Sequence, residues 1–161
     1  PDAVKLVTWN VNSIRQRLER LVALLGRHAP DVVCLQETKV VDADFPVETL
    51  RAAGYASVFA GQKSYNGVAI LSKLPATEVA CGFRDGGDDT QFRLLAATIA
   101  DVRVICAYVP NGQSVGSEKY AYKLAWLGRL RALLEREADP ARPLALVGDF
   151  NVAPTDIDVL F

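Results

Sequence analysis

The segment Leu144–Phe161, LALVGDFNVAPTDIDVLF, starts as an apolar run and continues into a turn rich in Asp and Asn. An uninterrupted apolar run is typical of a strand covered on both faces, as in the centre of a layered α/β sheet. We therefore expect a buried central strand with a neighbouring strand on each side. The turn that follows it, with Asp149 and Asn151, is the first candidate for a functional site.

Strands and helices alternate along the rest of the chain. VKLVTW, DVVCLQE, YASVFA and GVAILS predict strands, EVACGF is a weaker candidate, and FRLLAATIA and VRVICAYV predict an antiparallel pair. SIRQRLERLVALLGRH and SEKYAYKLAWLGRLRALLERE predict helices, the first with Ser13 as its N-cap. VETLRAAG predicts a short helix ended by Gly54, and residues 85–89 a loop. This order predicts a mixed α/β layered domain.

The composition is that of one soluble domain with a sizeable core. The chain has 161 residues, 50% of them hydrophobic, with 18 Lys and Arg against 19 Asp and Glu. A net charge of -1 excludes a polybasic nucleic-acid tail, so a polyanionic partner would need local positive charge or a bound cation. The N-terminus lacks a signal-peptide pattern and no apolar run approaches the ~18 residues of a membrane span. We therefore expect a cytoplasmic protein without a membrane partner.

The cysteines and the histidine are not expected to be catalytic. Cys34, Cys81 and Cys106 have apolar neighbours and no close spacing, which predicts buried thiols rather than disulfides or a zinc site. His28, the single histidine, ends the first predicted helix, where the helix dipole favours a cation. We expect His28 to be a surface residue.

Polar side chains follow four of the predicted strands. They are Asn10 and Asn12, Gln36 and Glu37, Tyr108 and Asn111, and Asp149 and Asn151. Ligands of α/β sheets bind at the carboxyl ends of strands, so these side chains would form one cluster if the strands lie side by side. Carboxylate and amide oxygens favour Mg²⁺, Mn²⁺ or Ca²⁺ over zinc, and such a cluster suits phosphoryl chemistry. The sequence contains no Gly-rich phosphate loop and no Ser or Cys nucleophile with a His partner.

Each of these residues also has a purely structural interpretation. Asn10 and Asn12 could serve simply as caps of the first helix, and Asp149 with Asn151 could simply form an Asx turn. Glu37 could be an exposed strand end, and Tyr108 could be a core residue. A purely structural interpretation is reasonable for any one of these residues. It is much less satisfactory as an explanation of polar residues at all four strand ends together.

Five segments together resemble a known family. TWNVNSIR, PDVVCLQETK, GQKSYNGVAILS, YVPNG and LVGDFNVAPTDID are similar, in this order, to blocks of the exonuclease III family of apurinic/apyrimidinic endonucleases, most closely its bacterial members. GDFN alone would indicate only the wider endonuclease/exonuclease/phosphatase superfamily. The resemblance implies a four-layered α/β sandwich, two mixed sheets flanked by helices, which is incomplete within residues 1–161. Relatives continue past PTDID with further strands, a late Asp and an Asp-His pair, so we expect this chain to be the N-terminal part of one domain.

The resemblance also implies an activity. Members hydrolyse DNA phosphodiesters with Mg²⁺, for which Mn²⁺ is a possible substitute. They cut duplex DNA 5′ to abasic sites and remove nucleotides or blocking groups from 3′ ends in base excision repair. We expect a monomer that binds double-stranded DNA.

The roles of single residues follow from the matching segments. The resemblance implies that Glu37 is a metal ligand, with Asn12 close to metal and phosphate, although some members carry Asp at the position of Asn12. Asn10 would organise the site, Tyr108 would contact the scissile phosphate and Asn151 would hold it. Asp149 would activate water or protonate the leaving oxygen. DNA contacts would come from loop residues beside the site: Arg15, Lys63, Tyr65 and Asn111.

Two other functions remain open at this stage. One is a phosphoesterase of the same superfamily that acts on a non-DNA substrate, such as an inositol phosphate or a phospholipid. The other is an inactive fragment that binds DNA or protein, because the catalytic His of the relatives lies downstream of these segments.

Overall fold

The computed structural model describes residues 4–158, so residues 1–3 and 159–161 of the predicted domain lie outside the described part. The strands are β1 (Leu6–Asn10), β2 (Val32–Gln36), β3 (Ala56–Ala60), β4 (Val68–Ser72), β5 (Thr77–Cys81), β6 (Leu94–Ile99), β7 (Val102–Tyr108) and β8 (Leu144–Asp149). The helices are α1 (Ile14–His28), α2 (Val47–Ala52) and α3 (Glu118–Glu137), with short 3-10 turns at Asp42–Asp44 and Asp156–Asp158. Every predicted helix and strand is therefore present, including the weaker candidate, which is β5.

Two mixed sheets of four strands each pack face to face. In the first sheet the order is β1-β2-β4-β3, with β1 and β2 parallel and the other pairs antiparallel. In the second sheet the order is β5-β6-β7-β8, with β7 and β8 parallel and the predicted pair β6 and β7 antiparallel. Strand β2 faces β7 and β8 across the interface between the sheets.

Three apolar layers hold the helices and sheets together. Because successive side chains of a strand point to opposite faces, Val33 and Leu35 of β2 pack with α1 and α2, whereas Val32 and Cys34 pack against the second sheet. Helix α3 buries Trp126 and other apolar residues on the outer face of the second sheet. The layers are thus helix, sheet, sheet, helix, which confirms the predicted four-layered sandwich.

The predicted burial of β8 is wrong for the described residues. All six residues of β8 are half-buried, and β7 is the only strand paired with β8 within residues 4–158. An apolar strand at a sheet edge keeps one row of backbone groups unpaired. The apolar sequence predicted the inward face of β8 correctly but could not say which part of the chain lies on its other side.

Two smaller predictions are also corrected. The Ser13 side chain does not cap α1, because Ser13 has a left-handed φ of 83° and its hydroxyl makes no cap hydrogen bond. Cys81 is exposed, because β5 is the outer strand of its sheet and most of its residues face solvent, whereas Cys34 and Cys106 are buried as predicted. Within residues 4–158, no helix is long and apolar enough to cross a membrane.

Candidate active site

The carboxyl ends of β1, β2, β7 and β8 meet at one edge of the sandwich, as the polar strand ends predicted. The side-chain amide of Asn10 donates through Nδ2 to Glu37 Oε1 at 2.8 Å and to Asp149 Oδ2 at 2.9 Å. The Tyr108 hydroxyl donates to the same Glu37 Oε1 at 2.9 Å. One amide therefore joins a carboxylate of the first sheet to a carboxylate of the second.

Glu37 is held as an anion by the groups around it. Partial burial raises its pKa, but the hydrogen bonds from Asn10, Lys39 and Tyr108 and the charge of Lys39 outweigh the burial. The net result is a pKa below the usual value of a glutamate. The Lys39 ammonium lies 3.0 Å from Glu37 Oε2. Both carboxylate oxygens thus have a partner, and the group is acceptor-only at neutral pH.

Tyr108 is held in its protonated form. Burial of the phenol, and its hydrogen bond to the Glu37 carboxylate, raise the pKa of Tyr108 to about 12. The guanidinium of Arg93 lies 4.6 Å from the centre of the Tyr108 ring and donates to the Tyr108 carbonyl at 3.3 Å. Arg93 therefore fixes both the ring and the backbone of Tyr108, and at neutral pH the hydroxyl keeps a proton to donate.

The Lys39 ammonium shows where a cation fits. Its Nζ donates to Asn12 Oδ1 at 2.6 Å and pairs with Glu37 Oε2, so the oxygens of Asn12 and Glu37 converge on one positive charge. Within residues 4–158 no cluster of three or more His, Cys, Asp or Glu side chains could hold a metal ion. A metal at this edge would therefore depend on one carboxylate, amide oxygens and water, a set that suits Mg²⁺ because it keeps several waters when bound.

The polar strand ends also form local turns. The backbone N–H of Asn151 donates to Asp149 Oδ1 at 3.0 Å, and that of Asn12 donates to Asn10 Oδ1 at 3.0 Å. The Asx-turn interpretation of Asp149 and Asn151 is therefore correct, and it coexists with their place in the cluster. The helix-cap interpretation of Asn10 and Asn12 is wrong, because Asn10 Oδ1 accepts the Asn12 N–H and Asn12 Oδ1 accepts the Lys39 ammonium instead of an N–H of α1.

Unusual backbone conformations accompany these turns. Asn12, Glu37, Lys39 and Asn151 have left-handed φ angles of 40°, 54°, 54° and 48°. Such conformations cost about 1–3 kcal/mol each and persist where surrounding bonds determine them. Here the carbonyl of Glu37 accepts the N–H of Ser13 at 2.8 Å, and further backbone bonds join the loop before α1 to the end of β2.

Two glycines allow the backbones beside the cluster to approach closely. Gly148, next to Asp149 on β8, has φ 151°, and a Cβ there would overlap the carbonyl oxygen of Ala107 on β7. Gly67 has φ 91°, and a Cβ there would overlap the hydroxyl of the buried Thr38. Both positions therefore require glycine.

The predicted DNA contacts lie around the cluster but outside it. Lys63 and Tyr65 are exposed on the loop between β3 and β4, and the Asn66 carbonyl of this loop accepts the Lys39 N–H at 3.0 Å. Arg15, in the first turn of α1, pairs with Asp44 at 2.6 Å on an exposed surface.

Asn111 and His28 occupy opposite ends of the fold. Asn111 is exposed just beyond β7, and its Oδ1 accepts the Gln113 N–H at 3.1 Å. His28 is exposed at the far end of the first sheet, where its carbonyl accepts the ammonium of Lys5 before β1. The prediction that His28 is a surface residue is confirmed.

Sequence reasoning missed three basic residues of this region: Lys39, Arg93 and Lys123. Lys39 lies two residues after Glu37 in the sequence, so its proximity to the site could have been noticed. Lys123 lies on the buried stripe of α3 with Trp126, Leu130 and Leu133, and a charge within an apolar stripe was a usable signal. Arg93 reaches Tyr108 only through the pairing of β6 with β7, which no local pattern indicates.

The geometry and the sequence together define a class of protein. The model of the Endonuclease/Exonuclease/phosphatase family matches residues 7–161, and the chain belongs to this family.

Within this family the chain is similar to DNA-repair nucleases of the exonuclease III type, which confirms the resemblance seen in the sequence. It is 35% identical to exodeoxyribonuclease III of Haemophilus influenzae over 97% of this chain and 60% of the relative. An AP endonuclease structure from Archaeoglobus fulgidus superimposes with a TM-score of 0.94 and 43% identity, over 99% of this chain and 62% of that chain. The structure of a 3′ phosphatase from Neisseria bound to product DNA hairpin superimposes with a TM-score of 0.90 and 42% identity, over 96% of this chain and 60% of that chain. The chain thus spans about three fifths of these relatives.

Proposed function

We propose that the full-length protein is a DNA-repair phosphodiesterase that depends on a divalent cation. It would cut duplex DNA at abasic sites and remove nucleotides or blocking groups from 3′ ends. The observation that carries the proposal is the Asn10 amide, which joins Glu37 and Asp149 from the two sheets while Tyr108 donates to the same Glu37 oxygen. The similarity to nucleases that act on abasic sites and 3′ ends supports the choice of DNA as substrate.

The chain's own side chains would hold a phosphodiester in three ways. Tyr108 keeps its proton at neutral pH, and a phosphate oxygen beside it would take over the hydrogen bond that the hydroxyl donates to Glu37. Asn151 uses one side-chain N–H for the Val109 carbonyl at 2.8 Å, which leaves its second N–H for the phosphate. Asp149 would carry the proton transfer of the reaction, either from the attacking water or to the leaving oxygen. Asn10 keeps the two carboxylates at a fixed separation.

We propose Mg²⁺ as the cation, with Mn²⁺ as a substitute, held by Glu37 with Asn12 beside it. When bound, the cation supplies neutralisation of the phosphate charge and of the charge that develops on the leaving oxygen. Glu37 is prepared for this task by its lowered pKa, because a ligand carboxylate must be ionised. The Lys39 ammonium bonds to the same two side chains and would have to move aside for the cation.

DNA would lie across the loops around this edge. Arg15 and Lys63 would contact backbone phosphates, Tyr65, which is 70% exposed, would pack on the DNA, and Asn111 would donate to the strand near the site. Phosphate contacts position a duplex without reading its sequence, and they make binding salt-dependent. This suits an enzyme that recognises a lesion. The expected monomeric state and cytoplasmic location stay predictions.

The test is cleavage of an end-labelled duplex with one abasic site by the full-length protein, with Mg²⁺, Mn²⁺ or a chelator. We expect cleavage on the 5′ side of the lesion with either metal, none with the chelator, and removal of a 3′ phosphate from a second duplex. Glu37→Gln should reduce the rate by at least about 10²-fold, because it removes the charge from the ligand and the hydrogen-bond network. Glu48→Gln, an exposed change on α2, should have no effect.

Other outcomes would contradict the proposal. If the wild-type protein leaves both duplexes intact with either metal, it is not a DNA-repair nuclease. A parallel panel of inositol phosphates and phospholipids would then identify a phosphoesterase of the same family with another substrate. Retention of the abasic duplex in a gel shift without cleavage would identify a binding protein.

A further inference from the structure

Lys123, on α3, is buried beside the loops that follow β7 and β8. Within residues 4–158 it is the only charged residue that is buried, at 8% exposure, and no carboxylate of these residues lies within ion-pair distance of it. Removing an ammonium from water is costly unless other groups replace the water. The groups that do so at Lys123 are therefore informative.

Two backbone carbonyls accept from Lys123, and both belong to asparagines of the candidate site. Its Nζ makes a short hydrogen bond to the carbonyl of Asn151, beyond β8, and a weaker one at 3.5 Å to the carbonyl of Asn111, beyond β7. The aliphatic part of the side chain packs against Gly112, where an added Cβ would lie 2.8 Å from Lys123 Cδ. Lys123 thus connects the two loops from α3, the helix that covers their sheet.

Further hydrogen bonds attach the same two loops to their surroundings. Ser117 caps α3 by accepting the Tyr120 N–H at 3.1 Å, and its hydroxyl donates to the Gly112 carbonyl at 3.1 Å. The Asn151 side chain donates to the Val109 carbonyl, so the loop beyond β8 is also bonded to the end of β7. Lys123 lies between these two attachments and donates to both loops from α3.

We propose that Lys123 is a positioning residue of the phosphate site, which sets the separation and orientation of Asn111 and Asn151. This inference rests on the proposed function, because its substrate is the phosphodiester. A simple structural role would require only an apolar side chain on the buried stripe of α3, as Trp126 and Leu130 provide. A charged donor makes stronger hydrogen bonds to the two carbonyls than a neutral donor would, so it holds them more firmly in place. The positive charge has no protein carboxylate as partner within the described residues, and it favours an anion beside the two loops.

The kinetic test compares Lys123→Met, Lys123→Arg and Lys119→Met in the full-length protein. Lys119 is an exposed residue of the same helix and serves as the matched control. On the abasic duplex, at a temperature where circular dichroism shows every variant folded, Lys123→Met should lower kcat/KM by about 10²-fold with a change in kcat as well as KM. Lys123→Arg should recover most of this loss, and Lys119→Met should show none.

A double-mutant cycle tests whether Lys123 acts through Asn151. If it does, Lys123→Met should cost less than about 10-fold in an Asn151→Ala background, because one of the two side chains that it positions is already absent. Two full, multiplying effects would overturn the proposal. So would a Lys123→Met variant whose kcat/KM stays within about 2-fold of wild type, since positioning defects near a reaction centre reach about 10²-fold.

A measurement without substrate separates this proposal from the proposed function. The N–H groups of Gln113 and Asn151 donate to side chains within their own loops, and their hydrogen exchange reports loop order. We expect faster exchange at both in Lys123→Met and no change in Lys119→Met. Unchanged exchange would overturn the proposal even in an active enzyme, whereas faster exchange in a protein that cuts no DNA would refute the nuclease alone. If Lys123→Met does not fold, Lys123→Gln replaces it in all three measurements.

Discussion

Substitution of Gly148 by alanine should strongly destabilise the protein at the point where β7 meets β8. Gly148 pairs with Ala107, and an added Cβ would overlap the Ala107 carbonyl oxygen and lie 2.7 Å from its carbonyl carbon and 3.0 Å from its nitrogen. All three atoms are backbone, so no side-chain rotation can relieve the overlap. The strands must therefore move apart.

The magnitude follows from two costs and one gain. Overpacking against fixed atoms costs about 1–3 kcal/mol. A backbone conformation with φ 151° costs a non-glycine residue about 1–3 kcal/mol more. Alanine restricts the unfolded chain, which returns about 0.4–1 kcal/mol. We expect Gly148→Ala to lower the free energy of unfolding by about 3 kcal/mol.

The matched control is Gly128→Ala. Gly128 lies within α3, and an added Cβ there would have no atom within 4 Å apart from its chain neighbours and the backbone of its own helix. Because alanine is the better helix former, this variant should be more stable by about 0.5–1 kcal/mol. Urea unfolding followed by circular dichroism measures both variants. A Gly148→Ala variant within about 0.5 kcal/mol of wild type, beside a Gly128→Ala variant that behaves as expected, would refute the claim that the close approach of β7 and β8 requires glycine.

Three further predictions concern the site and its surroundings. The pKa of Tyr108 is raised to about 12, so the contribution of its protonated hydroxyl to stability is complete below pH 10 and is lost as the pH rises to 12. Between pH 9 and 12 the free energy of unfolding of wild type, measured in urea titrations, should fall by about 1 kcal/mol more than that of Tyr108→Phe, after allowance for the exposed part of the ring. Parallel losses in the two proteins would contradict this. Lys39→Met should bind Mn²⁺ about 10-fold more tightly than wild type, as measured by electron paramagnetic resonance, because the Lys39 ammonium of wild type competes with the metal for Glu37. Weaker binding would show instead that Lys39 helps to build the site. Arg129→Met should lower Tm by about 5 °C, because Arg129 holds the 85–89 loop through several hydrogen bonds. The control Arg131→Met removes only an exposed i,i+4 ion pair and should change Tm by less than about 1 °C. Equal shifts in Tm would contradict a special role for Arg129.

Much of the fold could be predicted because its signals are local. Apolar runs, helical spacing and the glycine after α2 identified every α-helix and strand, but not the two short 3-10 turns, since each of these signals depends on residues close in sequence. Burial on the second side of β8 was not local information, and the prediction failed there. Cys81 was predicted buried from its apolar neighbours, but its exposure depends on the edge position of β5, which is set by the order of strands in the sheet.

The residues of the candidate site likewise fall into those with a local sequence signal and those placed by packing between elements. Residues at strand ends were identified because parallel strands place their carboxyl ends at one edge. Arg93 and Lys123 approach the site from a neighbouring strand and from a covering helix, so their contacts depend on packing between elements. The hydroxyl of Ser13 had the right chemistry for a helix cap, but docking of the chain on the end of β2 gave it another backbone conformation.

The two-sheet origin of the site has a consequence for the order of folding. Its central contacts join residues that are far apart in the chain: Tyr108 and Glu37 are separated by 71 residues, and Asn10 and Asp149 by 139. Loop closure over such separations is slow, and contacts within one sheet can form earlier than contacts across both. We therefore expect the cluster to assemble in the last kinetic phase, after each sheet has collapsed. A nascent or partly folded chain would then carry nearly all of its secondary structure but not yet the clustered side chains of the candidate site, which come together only when the native topology is complete.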